Sequence, residues 1–297
     1  MARPNTNSLK RRTLLTSAAA AALTAGVASS AHAAGTPGAS GAFRALEDEY
    51  AARLGVFAHD TATGRTLTYR ADELFPICSV FKTLAAGAVL REGVDLDRRI
   101  HYTLDDVTAS GYGPVTAEHV ATGMTVSELC AATVSHSDNA AGNLLLRELG
   151  GPTSITRFAR TLGDPVTRLD RWEPDLNSAE PWRETDTTSP RAIARTYARL
   201  ILGTALPSGA RTLLTSWLVA NTTNTARFRA GLPADWTLAD KTGGGTAYGV
   251  ANDVGVVWPP GRPPLVIAVL STKHAAEGPR EDAVVARAAK AVADELG

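Results

Sequence analysis

Ser79 and Lys82 stand three residues apart in Ser79-Val80-Phe81-Lys82, directly after Phe75-Pro76-Ile77-Cys78. On a helix that spacing puts both side chains on one face. Pro76 breaks the preceding chain, so a helical run is expected from Ser79 to about Leu90. Ser79 then lies in the first turn, where unpaired backbone N–H groups favour negative charge. A serine hydroxyl is a poor nucleophile until a neighbour takes its proton. A lysine does this only when burial or a second cation depresses its pKa. Lysine is scarce here: of 30 basic residues only Lys10, Lys82, Lys241, Lys273 and Lys290 are lysines. Arginine cannot give up a proton in a protein, so the choice at position 82 carries information. Alone, the pair also fits a helix N-cap serine beside a snorkelling lysine, and it needs company.

Three further stretches offer it. Ser137-Asp138-Asn139 is a polar turn between two helical runs. It reads as an N-cap, or as a proton relay through Ser137 with Asn139 orienting Lys82 and a substrate amide. Lys241-Thr242-Gly243-Gly244-Gly245 ends an apolar run, and its glycines fit either a hairpin turn or the close approach of a ligand to an edge strand. A lysine, a hydroxyl and free N–H groups there make a carboxylate seat, to which Arg227 can add a second cation. Finally, residues 171–186 have the length of an Ω-loop. Arg171 and Asp186 are placed to clamp its ends, with Trp172, Leu176 and Trp182 packing beneath and Glu173-Pro174 able to hold a sharp turn in the cis form. Within it Glu173 and Asn177 are one helical turn apart; on its own, Glu173 reads as a solvated loop acid.

The elements that must position these groups follow from periodicity. Ala42–Arg53 reads as a helix, with Phe43, Leu46, Tyr50 and Leu54 at helical spacing. A β-hairpin follows over 55–70. From Ser79 to about Trp217 the signals are helical, including a capping box, Thr125 with Glu128. Residues 236–242, 252–258 and 265–271 then read as strands, and 279–296 as an amphipathic closing helix. Strands at both ends around a helical middle imply an α/β (α+β) fold: one sheet built from both termini and an inserted all-helical domain, with a ligand cleft between them. The expected division is an α/β domain from 42–75 and 218–297 and an all-α domain over 76–217.

Residues 1–33 read as a removable export signal. Lys10-Arg11-Arg12-Thr13-Leu14-Leu15 precedes an alanine-rich run and Ala31-His32-Ala33, and the paired arginines suggest the twin-arginine type. Residues 34–41 read as a flexible tail. The apolar run is interrupted and no cysteine stands at the cleavage site, so no membrane anchor is expected and the mature protein would be secreted. Cleavage removes four of the 30 basic residues and no acid, leaving 26 against 30 acidic. That balance argues against nucleic acid or an anionic membrane as partner. Two cysteines are too few for a disulfide framework, and six dispersed histidines form no metal-ligand set, so no metal or cofactor is expected.

Taken in order, Ser79…Lys82, Ser137-Asp138-Asn139, Glu173…Asn177 and Lys241-Thr242-Gly243 resemble the signature of class A serine β-lactamases. The likeness spans essentially the mature chain and extends to Tyr112, Asn252-Asp253 and Trp258-Pro259. It implies the serine β-lactamase/penicillin-binding-protein-like fold and a two-step acyl transfer on a small-molecule β-lactam; a monomer is the default expectation. Ser79 would attack the lactam carbonyl, and the N–H groups of Ser79 and Gly244 would receive the oxyanion. Either Lys82 or Glu173 through a water would take the hydroxyl proton. Ser137 would protonate the leaving nitrogen, and Glu173 with Asn177 would hold the deacylating water. Asn139, Tyr112, Thr242, Gly243, Lys241 and Arg227 would bind substrate; the alternative family position for that arginine is Ala251 here. Gly244 lacks the hydroxyl many broad-spectrum relatives carry, which bears on spectrum. Cys78 resembles a cysteine that carbapenem-hydrolysing members pair with one just past the glycine motif, but Gly245 stands there, so no such disulfide is expected. The usual partner position of Cys130 falls on Ala86. A D,D-peptidase (penicillin-binding protein) or a slowly deacylating β-lactam sensor is the alternative, and Glu173 with Asn177 argues against both.

Overall fold

The computed structural model describes residues 37–297, so the leader read over residues 1–33 lies outside the described residues. Five strands, β1 (Ala52–Asp60), β2 (Thr66–Tyr69), β3 (Thr237–Gly244), β4 (Ala251–Trp258) and β5 (Leu265–Lys273), form one antiparallel sheet in the order β2-β1-β5-β4-β3. The two ends of the chain meet in it: β1 pairs with β5 over Ala52↔Lys273 to Asp60↔Leu265. Strand β5 is buried along its whole length because both faces are covered. Its alternate side chains divide between two cores, with Val266, Ala268 and Leu270 on one side and Leu265, Ile267 and Val269 on the other.

The helices among the described residues are α1 (Pro37–Tyr50), α2 (Lys82–Glu92), α3 (Leu104–Ala109), α4 (Val126–Ser135), α5 (Asn139–Glu148), α6 (Thr153–Thr161), α7 (Pro190–Ile201), α8 (Ser208–Val219), α9 (Phe228–Gly231) and α10 (Asp282–Leu296). Helix α10 lays Val284, Ala288, Val292 and Leu296 into the core it shares with Phe43 and Leu46 of α1, a stripe at four-residue spacing. Helix α1 reaches back to Pro37, into the stretch read as a flexible tail. A proline is tolerated at the first helical position because its missing N–H has no intrahelical partner there.

On the other face, α7 covers the sheet and α2 runs through the middle of the helical lobe. Every residue of α2 from Lys82 to Val89 is buried. A helix enclosed on all sides carries its one lysine away from bulk solvent, which bears on the chemistry of that residue.

Candidate active site

The nucleophile segment is held from both sides. The Phe75–Pro76 pair forms a short bridge with Thr187–Thr188 at the end of the Ω-loop. The Ile77 N–H donates to the Asp186 carbonyl at 2.9 Å, and Asn252 Nδ2 of β4 donates to the Pro76 carbonyl at 2.8 Å. Cys78 takes the left-handed conformation, φ 45°. A single 3₁₀ turn, Cys78–Phe81, then leads into α2, so the expected helix opens with a tighter turn than an α-helix. Ser79 sits on that turn and lines a cleft of about 510 Å³ with Tyr112, Ser137, Asn139, Asn177 and Thr242.

Lys82 lies beneath the cleft floor, fully buried. Its Nζ donates to Asn139 Oδ1 at 2.6 Å and to the Ser137 carbonyl at 2.7 Å, with Ser137 Oγ at 3.4 Å. Glu173 Oε1 stands 3.1 Å away. Desolvation pulls the Lys82 pKa below its ordinary value, against the opposing pull of the Glu173 carboxylate. Asp138 caps α5 through the Ala141 N–H at 2.8 Å and also accepts the Val115 and Thr116 N–H groups. The N-cap reading holds through Asp138, and Ser137 and Asn139 are left facing Lys82.

The Ω-loop carries Glu173 to the same point. Arg171 Nε reaches Asp186 Oδ2 at 2.6 Å, closing the loop as its end residues suggest. Glu173–Pro174 is cis. Of the three apolar residues expected beneath the loop only Leu176 is buried; Trp172 is 39% and Trp182 72% exposed. Trp182 stacks edge-on against Tyr248, while Leu176 and the smaller Ala179 are the buried apolar side chains of the loop. Asn177 Nδ2 donates to Glu173 Oε2. Asn143, one turn along α5 from Asn139, grips the Glu173 backbone: its Nδ2 donates to the carbonyl at 2.9 Å and its Oδ1 accepts the N–H at 3.0 Å.

The far wall is edge strand β3. Thr242 Oγ1 shares a hydrogen bond with Thr223 Oγ1. Lys241 is fully buried, and desolvation followed by the like charge of Lys82 lowers its pKa well below the ordinary lysine value. Arg227 is buried at 5% exposure, with Nη1 donating to the carbonyls of Gly243 and Asn252 and Nε to Asp282 Oδ1 at 2.9 Å. Gly243 is closely packed: a Cβ there would lie 3.0 Å from Val80 Cγ2 and 3.2 Å from the Ile77 carbonyl, so a neighbour would have to shift. Tyr112 stands half exposed at the rim.

Comparison with known proteins matches residues 39–296 to the β-lactamase enzyme family. The chain belongs to that family. It is 64% identical to a β-lactamase of Kitasatospora aureofaciens, over 96% of this chain and 97% of that one. It is 59% identical to a β-lactamase of Streptomyces fradiae, over 99% and 98%. Among solved structures, the β-lactamase of Streptomyces albus G matches with a TM-score of 0.86 at 59% identity, covering 88% of this chain and all of that one. An ancestral class A β-lactamase matches at 0.82 and 50%, covering 86% and 99%. The chain is thus a class A β-lactamase fold and a hydrolase acting on β-lactams, the activity that underlies resistance to these antibiotics.

Every residue expected at the β-lactamase site is brought to one place. Nine of the twelve, including Ser79, Ser137, Asn139 and Thr242, line the cleft; the ionisable Lys82, Glu173 and Lys241 lie behind it. Sequence reading missed two polar residues. Asn143 was signalled by its four-residue spacing from Asn139, which places two amides on one face of an otherwise apolar helix. Arg280, which lines the cleft beside Asp282, had no local signal. Cys78 and Cys130 are both buried and unbonded, and burial pushes both thiols up. Among the described residues no helix is long and apolar enough to cross a membrane, and no cluster of His, Cys, Asp and Glu could hold a metal ion.

Proposed function

We propose that this β-lactamase hydrolyses the lactam amide of penicillin-type antibiotics through an ester on Ser79. Ser79 Oγ attacks the lactam carbonyl carbon and loses its proton, while the backbone N–H groups of Ser79 and Gly244 stabilise the developing oxyanion. A well-placed donor of this kind is worth on the order of 3 kcal/mol of barrier. The C–N bond then breaks and Ser137 hands a proton to the ring nitrogen, assisted by the positive field of Lys241. Glu173 and Asn177 hold a water whose attack on the ester releases the product acid and restores the Ser79 hydroxyl.

The observation that carries this reading is the convergence on Lys82 Nζ. Asn139, Ser137 and the carboxylate of Glu173 all lie within 3.5 Å of it, behind the cleft that holds Ser79. Lys82, with its depressed pKa, and Glu173 through a water remain the two routes for the first proton. The Ω-loop contribution is what separates a hydrolase from the peptidase or sensor alternative, since it supplies the deacylating pair. Thr242, Arg227 and Lys241 seat the substrate carboxylate. The mature enzyme works outside the cell as a monomer after removal of residues 1–33.

Steady hydrolysis of a chromogenic cephalosporin by the mature chain, with intact-mass measurement on the same sample, tests it. Continuous turnover with little adduct is expected. A single burst with a stable adduct would mean a peptidase or sensor, and would reverse the role given to Glu173.

A further inference from the structure

The anion seat at the β3 edge has two guanidinium groups, and they differ in how far they are committed. Arg227 spends Nε on Asp282 and Nη1 on the carbonyls of Gly243 and Asn252. Among the described residues its Nη2 has no acceptor, and it lies 3.8 Å from where a Gly244 side chain would begin. Arg280 arrives from the start of α10 and places Nη1 3.3 Å from the same point. Its one ionic contact is Nε with Asp282 Oδ1 at 3.3 Å, and its side chain is 54% exposed. Two cations therefore share one carboxylate, Asp282, and both direct free N–H groups over the bare Cα of Gly244. A side chain at 244 would crowd Arg280, so the glycine and the second arginine belong together.

From this we infer that Arg280 is a specificity-determining residue: with Arg227 it forms a two-guanidinium seat across Gly244 for an anionic group borne on the lactam-fused ring. This deepens the proposed β-lactam hydrolysis and rests on it. Arg227 is the fixed half, locked by backbone carbonyls and unable to follow a substrate. Arg280 is the exposed half that closes on the anion as it enters. An interaction of that kind acts equally in ground and transition states, so it governs KM and leaves kcat nearly alone. A charge-assisted hydrogen bond at a half-exposed site corresponds to roughly a tenfold change in KM.

The test compares parent, Arg280→Gln and Arg280→Lys on a penicillin with a free ring carboxylate and on its methyl ester. For the carboxylate, KM is expected to rise roughly tenfold in Arg280→Gln and less in Arg280→Lys, with kcat within about twofold. The ratio of variant to parent kcat/KM for the ester should stay near one. The KM of the parent should also rise with salt more steeply than that of Arg280→Gln. An unchanged KM for the carboxylate, with the parent turning over normally, overturns the inference and leaves β-lactam hydrolysis standing. An equal loss on acid and ester also overturns it, since Arg280 would then act only by supporting Asp282. Absence of turnover by the parent would overturn both.

Discussion

Asn143→Ala should separate the two halves of the reaction. Asn143 touches no group proposed to contact substrate; it holds the Glu173 main chain by two hydrogen bonds of 2.9 and 3.0 Å. Each contributes about 1 kcal/mol net, so their loss frees the loop by about 2 kcal/mol. If that energy fixes where the Glu173 carboxylate points, the cost falls on deacylation, which should slow about 30-fold at 1.4 kcal/mol per decade. Acylation should fall as well if Glu173 takes the first proton through a water; if Lys82 takes it, acylation falls far less, since Lys82 keeps its bonds to Asn139 and Ser137. Stopped-flow turnover of a penicillin would then show a burst of one equivalent before a slow steady state, with kcat and KM falling together. A thermal melt should show a drop of several degrees, about 2–4 °C per kcal/mol for a chain of this size. If deacylation does not slow, the clamp does not position Glu173 and the reasoning fails.

Other perturbations bear on the same groups. Lys82→Gln removes the cation 3.1 Å from Glu173 and the candidate acceptor of the Ser79 proton, so kcat/KM for a penicillin should drop at least about 10³-fold; a loss under tenfold would exclude Lys82 as a proton carrier. Leu176→Ala empties the apolar site beneath the Ω-loop, where Leu176 is fully buried. It should cost about 2–4 kcal/mol by chemical denaturation, and a change below 1 kcal/mol would mean the loop does not rest on that side chain. Asp240 and Asp253 are both fully buried, and burial holds both carboxyls above the usual range, Asp253 further raised by the Asp240 charge. A folded-state pKa above the unfolded one gives stability that is present at low pH and lost as pH rises past that folded value. Asp253→Asn removes that titration, so the melting temperature of the variant relative to the parent should climb as pH rises above the ordinary carboxylate range. Parallel melting curves would refute a raised carboxyl at Asp253.

What was legible in the sequence were groups whose geometry is set within one element or one short loop. Three-residue spacing fixed Ser79 and Lys82 on one turn; Asp138 announced a helix start and thereby the orientation of its neighbours; Arg171 and Asp186 bracketed the loop. The sheet was legible too, because β5 and β4 read as apolar runs bounded by turn residues. What escaped depends on contacts distant in sequence. Arg280 meets Gly244 only through the docking of α10, and nothing within ten residues of it says so. Trp172 and Trp182 were misplaced because hydrophobicity says that a side chain prefers burial, not that the loop has room for it. Leu176 is the large apolar side chain of the loop that is buried. The start of α1 at Pro37 was missed because a Pro-Gly-Ala-Ser stretch has weak helix propensity, and tertiary packing of Phe43 and Leu46 supplies what propensity does not.

The most direct test of the mechanism is the mass of Glu173→Ala after brief exposure to a penicillin, followed by peptide mapping. The expected result is near-complete conversion to an adduct heavier by one intact penicillin, located on Ser79 and persisting for minutes while the parent shows almost none. An unmodified Glu173→Ala that still turns over at the parent rate would contradict the deacylating carboxylate, and an adduct mapped to another residue would contradict the nucleophile.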